Sequence, residues 1–199
     1  LHLCSHNLES IQTNNYDSNN AKHDLLAEVC MAAKFEGESI KGYHDQHKGT
    51  NPDSQLCTEL ARSFADIGDI IRGKDLFRGN DEEKKQRKQL DKNLKKIFGK
   101  IYKDLTTTNG RKGKNGELKA RYQDDATGNY YKLREDWWNA NRATIWEAIT
   151  CGVKGNKYFR ATCDSGDNEK NATLAKDKCR CDGANVVPTY FDYVPQFLR

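Results

Sequence analysis

The chain has 199 residues, enough for one domain or two small ones with a buried core. Hydrophobic residues make up 36% and charged residues 31%, with a net charge of +4 and a mean hydropathy of -0.96. No window approaches 18 consecutive apolar residues, which excludes a membrane span within this sequence. The chain begins at Leu1 with no signal-peptide pattern, so we expect a piece of a longer protein.

Two stretches with helical periodicity occupy the first part of the chain. Within Lys22–Lys34, apolar residues recur at spacings of three and four, and Gly37 and Gly42 then interrupt the pattern. Within Ser54–Gly73, a longer apolar stripe predicts a second helix, with Asp53 or Ser54 as its N-cap and Gly73 as its stop.

The third helix has the clearest signal. Asn80 and Glu83 have the spacing of a capping box, and apolar residues then recur at helical positions from Leu90 to Leu105. Lysines fill the opposite face. We expect a loop over 106–116, so that helix and loop together present one basic surface.

The fourth helix is predicted over 130–151. Apolar residues cover more than half of its circumference, and we expect Trp137, Trp138 and Trp146 to be core residues. Residues 152–183 lose periodicity and are predicted to form a surface loop held by disulfides. An extended segment then begins a further helix after Pro195. No β-type alternation is visible, so the predicted fold is an all-α, disulfide-stapled bundle of long helices with almost no sheet.

Positive charge is concentrated in one segment. Between Lys84 and Arg121 there are fourteen basic and three acidic residues, a net charge of +11, which leaves -7 for the rest of the chain. Such a surface attracts polyanions, although a solvated helix face would have the same composition. The candidate polyanion or glycan site comprises Lys84, Lys85, Arg87, Lys88, Lys92, Lys95, Lys96, Arg111, Lys112 and Lys114.

Seven cysteines indicate an oxidising environment. Disulfides are favoured, and because the number is odd, one thiol would have its partner outside this sequence. Two alternatives stay open: scattered reduced cysteines, or a zinc site that combines Cys179, Cys181 and Cys163 with His44 or His47. The zinc site has weaker support because the two-residue ligand gap is missing.

Motifs for nucleophilic, metal or nucleotide chemistry are missing. The sequence has no G-x-S-x-G, H-E-x-x-H, P-loop or G-x-G-x-x-G motif. Glu135 and Asp136 are adjacent on a helix and therefore point apart. We predict no enzyme activity, no cofactor and no metal.

Five strings of the sequence form a distinctive set: ARSFADIGDIIRGKDLF (61–77), LREDWWNANRATIWEAITC (133–151), VPTYFDYVPQFLR (187–199), LHLC (1–4) and LLAEVCMAAK (25–34). They resemble the alpha class of Duffy-binding-like domains, which occur in the erythrocyte membrane protein 1 adhesins of Plasmodium falciparum. They span the whole chain.

This resemblance implies an all-helical adhesion domain on the extracellular face of the infected erythrocyte membrane. Residues 1–20 would end the first subdomain and 21–199 would form the central one, with the third subdomain and the membrane anchor outside this sequence. The implied function is cytoadhesion or rosetting by a variant surface antigen. The implied partners are host receptors, sulfated or blood-group glycans and antibodies.

The resemblance also implies a disulfide pattern. It maps Cys57 to Cys181, makes Cys30 with Cys151 a second pair, and leaves Cys163 with Cys179 to close the loop. Cys4 would pair outside the segment.

Two functional hypotheses therefore remain. One is a cell-surface adhesin that binds polyanionic glycans through the basic helix. The other is an intracellular nucleic-acid-binding domain that uses the same Lys84–Arg121 surface. Oxidised cysteines would exclude the second, and base stacking would need aromatic residues among the lysines rather than in the core.

Overall fold

The computed structural model describes residues 8, 20–47, 55–76, 79–107, 115–123, 125, 128–155, 161–163, 172–175, 177–182 and 185–199. In these ranges the helices are α1 (Ala21–His47), α2 (Leu56–Arg72), α3 (Asp81–Thr107), α4 (Asn115–Arg121) and α5 (Tyr131–Ile149). Two short strands, β1 (Ala161–Cys163) and β2 (Thr173–Leu174), pair antiparallel, and single 3-10 turns lie at Phe191–Tyr193 and Gln196–Leu198. The predicted helical fold with very little sheet is confirmed.

The chain divides into two compact units. Unit 1 contains residues 1–4, 30–69 and 141–199, and unit 2 contains residues 5–29 and 70–140. The subdomain boundary expected after residue 20 stays a prediction.

The core of unit 1 is built around Trp146. Its ring meets Phe64 edge to face, with centroids 5.2 Å apart, and its Nε1 donates a hydrogen bond of 3.1 Å to the carbonyl of Cys179. The buried carboxylate of Glu36 accepts a hydrogen bond of 2.6 Å from the Ser63 hydroxyl. Trp146 is therefore a core residue, as predicted.

Two arginines fasten the last residues of the chain within unit 1. Arg142 donates to both carboxylate oxygens of the buried Asp192, at 2.8 and 2.7 Å, and to the carbonyl of Thr189. Arg199 is paired with Asp66 at 2.8 Å and with Asp69. The helix expected to begin after Pro195 is present only as a single 3-10 turn at Gln196–Leu198.

The core of unit 2 lies between α3 and the first part of α5. The apolar stripe of α3 is buried, and Phe98 meets Trp137 edge to face at 6.0 Å. Trp138 is fully buried as well, so both tryptophans are core residues, as predicted. The predicted capping box is also confirmed: Asn80 N donates to Glu83 Oε2 at 2.8 Å, and Glu83 N donates to Asn80 Oδ1 at 2.9 Å.

The expected interruption of the first helix at Gly37 and Gly42 is wrong. Helix α1 continues through both residues to His47. Gly37 is buried because the backbone carbonyl of Ile149 lies where a Cβ atom would be. This glycine therefore permits close helix packing rather than ending the helix.

The loop expected over 106–116 is shorter than predicted. Helix α3 extends to Thr107, and Asn115 already begins α4. The short helix is held by Tyr122, which is buried and whose hydroxyl donates to Asp136 Oδ2 at 2.9 Å.

Helix α2 begins at Leu56, and the backbone N–H groups of its first turn donate to the carbonyl of Gln55. The N-cap candidates Asp53 and Ser54 lie outside the described residues. Gly73 ends α2 with a φ of 72°, as predicted.

The predicted pairing of the loop cysteines is wrong. The disulfides join Cys57 to Cys179 and Cys163 to Cys181, whereas we expected Cys57–Cys181 and Cys163–Cys179. Cys179 is fully buried next to the equally buried Cys57, because Trp146 holds its carbonyl in the core. Cys181 is partly exposed and reaches Cys163 on β1. None of these sulfurs is available to a zinc ion.

The expected Cys30–Cys151 disulfide is absent, and both thiols are free. Gly37, not Cys30, meets the end of α5 at Ile149. Cys30 lies seven residues earlier on α1, about 10 Å along the helix axis from that contact. Burial raises the pKa of the Cys30 thiol, whereas Cys151 is exposed. Cys4 lies outside the described residues.

The disulfide pairing is testable by trypsin, because Arg180 separates Cys179 from Cys181. Non-reducing digestion should yield peptide 49–62 joined to 179–180 and peptide 161–170 joined to 181–199. On the loop-entropy estimate these bridges contribute about 5 and about 3 kcal/mol, so reduction should lower the midpoint of urea unfolding. Mass spectra that show 49–62 joined to 181–199 would restore the pairing expected from sequence.

The two glycines of α1 make a matched pair of variants. Gly37→Ala should destabilise the protein by about 1–3 kcal/mol, because its methyl group collides with the backbone of Ile149. Gly42→Ala should stabilise it by about 0.5–1 kcal/mol, since nothing lies within 4 Å of the added carbon and Ala favours a helix. Urea unfolding measures both. Equal effects at the two positions would contradict this account of α1.

Candidate binding surface

Helix α3 exposes a row of lysines on unit 2, which we call the lysine face: Lys84, Lys85, Lys88, Lys92 and Lys96. All five are exposed. Four of them follow one another at intervals of four residues, so they lie along one side of the helix over about 18 Å. The capping box and the buried apolar stripe fix this orientation. The predicted basic helix therefore exists as a surface.

Three candidate cations, one of them in the lysine face, have acidic partners. Lys84 lies 3.2 Å from Asp81, Lys95 lies 2.8 Å from Asp91, and Arg87 lies 3.4 Å from Asp75. Arg87 is also largely buried, with 16% of its side chain exposed. Within the described ranges no ion pair involves Lys85, Lys88, Lys92 or Lys96. These four lysines are the part of the predicted set that is best placed to bind a ligand.

An open depression of about 380 Å³ runs along the lysine face. Its walls are Asp81, Lys84, Lys85, Lys88, Gln89 and Lys92. Such a groove suits an extended anionic chain better than a small molecule that needs enclosure.

The remaining three residues of the candidate site lie outside the described residues: Arg111, Lys112 and Lys114. Arg121, at the end of the basic segment, is held by Asp136: its Nε and Nη2 donate to the two carboxylate oxygens, each at 2.7 Å. This pair lowers the pKa of the Asp136 carboxyl, and burial, followed by the bond to Asp136, raises the pKa of Tyr122.

A second depression, of about 290 Å³, adjoins the lysine face and shares Lys88 with it. It includes Tyr131, Gly73 and Asp75, none of which the sequence singled out for binding. These residues come from α5 and from the end of α2, so only the fold brings them to α3. No signal in the sequence could have assigned them to one site.

The buried Arg134 fixes this arrangement. Its Nη1 and Nη2 both donate to Asp91 Oδ1 at 3.1 Å, and its guanidinium lies 5.4 Å from the centre of the Phe98 ring. Burial lowers the pKa of this guanidinium, and Asp91 opposes that effect. The pair connects α5 to α3 beneath the lysines.

Among the described side chains, no three His, Cys, Asp or Glu residues come together as a metal site. The helices in the described ranges include none that is long and apolar enough to cross a bilayer.

The Duffy binding domain family matches residues 1–199. The chain therefore belongs to this family, as the sequence resemblance implied. Comparison with curated protein sequences gives no significant match.

Solved structures of Plasmodium falciparum PfEMP1 domains are similar to this chain. The NTS-DBL1(alpha-1) domain of the varO strain is 41% identical, with a TM-score of 0.70, over 99% of this chain and 40% of that one. The varO NTS-DBL1-alpha and CIDR-gamma double domain is also 41% identical, with a TM-score of 0.71, over 99% and 25%. A DBLbeta domain described as bound to human ICAM-1 is 27% identical, with a TM-score of 0.64, over 98% and 36%. This chain thus spans two fifths or less of each of these structures.

The Arg121–Asp136 pair predicts a pH effect. Because the pKa of Asp136 is lowered in the folded state, its contribution to stability is present above the unfolded value near 4 and is lost as pH falls through the folded value. Asp136→Asn should therefore be less stable than the wild type at pH 7, and the difference should shrink by pH 3.

Urea unfolding at the two pH values measures this difference. Glu38→Gln, which alters an exposed carboxylate of α1, serves as the control. A difference that grows as pH falls would contradict the assigned role of Asp136.

Proposed function

We propose that this chain belongs to a cell-surface adhesion domain that binds host receptors carrying sulfated glycans, and that the lysine face is the binding surface. The observation that carries the proposal is the row of Lys85, Lys88, Lys92 and Lys96, which have no acidic partner among the described residues. A linear polyanion laid along this row would release counterions at each contact, which gives long-range attraction and strong salt dependence.

The comparisons support the adhesion class. The family is a binding-domain family, and two DBLbeta relatives are described as ICAM-1-binding or as bound to human ICAM-1. We propose a corresponding setting for this chain: residues 21–199 as the central subdomain, display on the infected erythrocyte surface, anchoring through regions outside this sequence, and a role in cytoadhesion or rosetting. Blood-group glycans and antibodies are further proposed partners.

The nucleic-acid alternative has less support. Two disulfides favour an oxidising compartment over the nucleus or cytosol. Trp137, Trp138 and Trp146 are buried, so they offer no stacking surface between the lysines.

Charge reversal on the lysine face tests the proposal. Lys88→Glu, Lys92→Glu and Lys96→Glu in one protein should abolish retention on heparin, because they remove three contacts and add three repulsive charges. A single Lys→Ala change should cost only about 0–1 kcal/mol. Lys95 is left unchanged, since it is paired with Asp91 beside the buried Arg134.

The matched control reverses three lysines of α1, namely Lys22, Lys34 and Lys41, and so has the same net charge. It should keep most of the heparin retention, and its helical circular dichroism should equal that of the wild type. If both triple variants lose retention equally, binding depends on net charge and the lysine face is only solvated.

A further inference from the structure

The depression beside Tyr131 has a rigid, partly apolar interior. Ile70 and Leu90 are buried residues that line it, and Tyr131, which also lines it, is 54% exposed. Gly73 lets this ring lie close: a Cβ atom at that position would come within 3.2 Å of Tyr131 Cε1 and would collide with Arg134 Nη1. The positive φ of Gly73 also requires glycine there. The aromatic side chain of Tyr131 therefore packs directly against the backbone at Gly73.

The charges around this depression are largely balanced, with Lys88 as the exception. Asp75 is paired with Arg87, and Asp91 with Arg134 and Lys95. These partners offset the repulsion that two carboxylates would exert on an anion. Carboxylate oxygens accept several hydrogen bonds each, so Asp75 and Asp91 can also accept from hydroxyl groups.

The combination selects one kind of ligand. An exposed aromatic side chain offers an apolar surface for the C–H groups of a sugar ring, paired carboxylates accept from hydroxyls, and Lys88 attracts an anionic substituent. The volume of about 290 Å³ lies at the small end of the range for ligand pockets. Lys88 also belongs to the lysine face, so one ligand can occupy both places.

We propose that this depression is a subsite for one anionic sugar ring of the glycan whose chain lies along the lysine face. The proposal rests on the proposed function and adds selectivity to it. The lysines attract any polyanion, whereas the subsite prefers a polymer with sugar rings and hydroxyls over one without them. Tyr131 is the residue that makes this distinction.

Two probes of similar charge test the subsite: a heparin hexasaccharide and a linear polyphosphate. Tyr131→Ala should weaken hexasaccharide binding by about three- to tenfold, the range for the loss of one aromatic contact. It should leave polyphosphate binding unchanged. The slope of log Kd against log salt should also stay the same for both probes, because the variant removes no charge.

Three further variants make the result decisive. Tyr131→Phe keeps the ring and should keep most of the hexasaccharide affinity. Tyr43→Ala, which removes an exposed tyrosine of α1, should have no effect on either probe. Lys88→Glu, Lys92→Glu and Lys96→Glu together should abolish binding of both. Thermal unfolding of Tyr131→Ala checks that its fold is intact.

The outcomes separate the subsite from the proposed function. If Tyr131→Ala weakens both probes by the same factor, or neither, the subsite is wrong while the lysine face stands. If the wild type binds neither probe, the proposed function itself fails. Equal affinity of the wild type for hexasaccharide and polyphosphate would also overturn the subsite.

Discussion

The burial of the Arg134 charge is the constraint on which the structure of unit 2 depends. A guanidinium with no exposed surface must be compensated, and within the described residues the compensation comes from Asp91 of α3 and the ring of Phe98. The pair fixes α5 against α3, which determines where the lysine face points. It also places Arg134 against Gly73, so that the end of α2 can accept no side chain there. This ion pair thus links α3, which carries the lysines, to α5, which carries Tyr131.

Unit 1 contains the segment after α5, which has little regular secondary structure. Beyond α5 the chain has only two short strands and two 3-10 turns in the described ranges. This segment is held by two disulfides, Cys57–Cys179 and Cys163–Cys181, and by the ion pair between Arg142 and Asp192. The rings of Tyr190 and Tyr193 also pack against the guanidinium of Arg142. Disulfides and ion pairs hold this segment in place, whereas the helices are held by their buried apolar stripes.

Sequence periodicity predicted the long helices, the capping box at Asn80 and the buried tryptophans, because each depends on residues close together in the chain. It failed where a distant partner decides the outcome. Gly37 stays helical because of the carbonyl of Ile149, and Cys179 rather than Cys181 meets Cys57 because Trp146 holds its backbone. The composition also counted Lys95 and Arg121 as available cations, although Asp91 and Asp136 bind them. The depression beside Tyr131 is lined by residues from three helices, so no local sequence pattern indicates it.

The arrangement of charge on α3 argues that the lysine face is more than a solvated surface. Lys84, Lys88, Lys92 and Lys96 form three successive like-charged pairs at i and i+4, each of which destabilises a helix by about 0.2–0.5 kcal/mol. A helix selected only for stability would alternate acidic residues with these lysines. Here Asp91 is paired with the buried Arg134 and with Lys95, and among the described residues only Lys84, at the start of the row, has an acidic partner, Asp81. The apolar stripe and the Arg134 pair supply the stability that this repulsion removes. Under the proposed function, an anionic ligand lying along this face would relieve the repulsion.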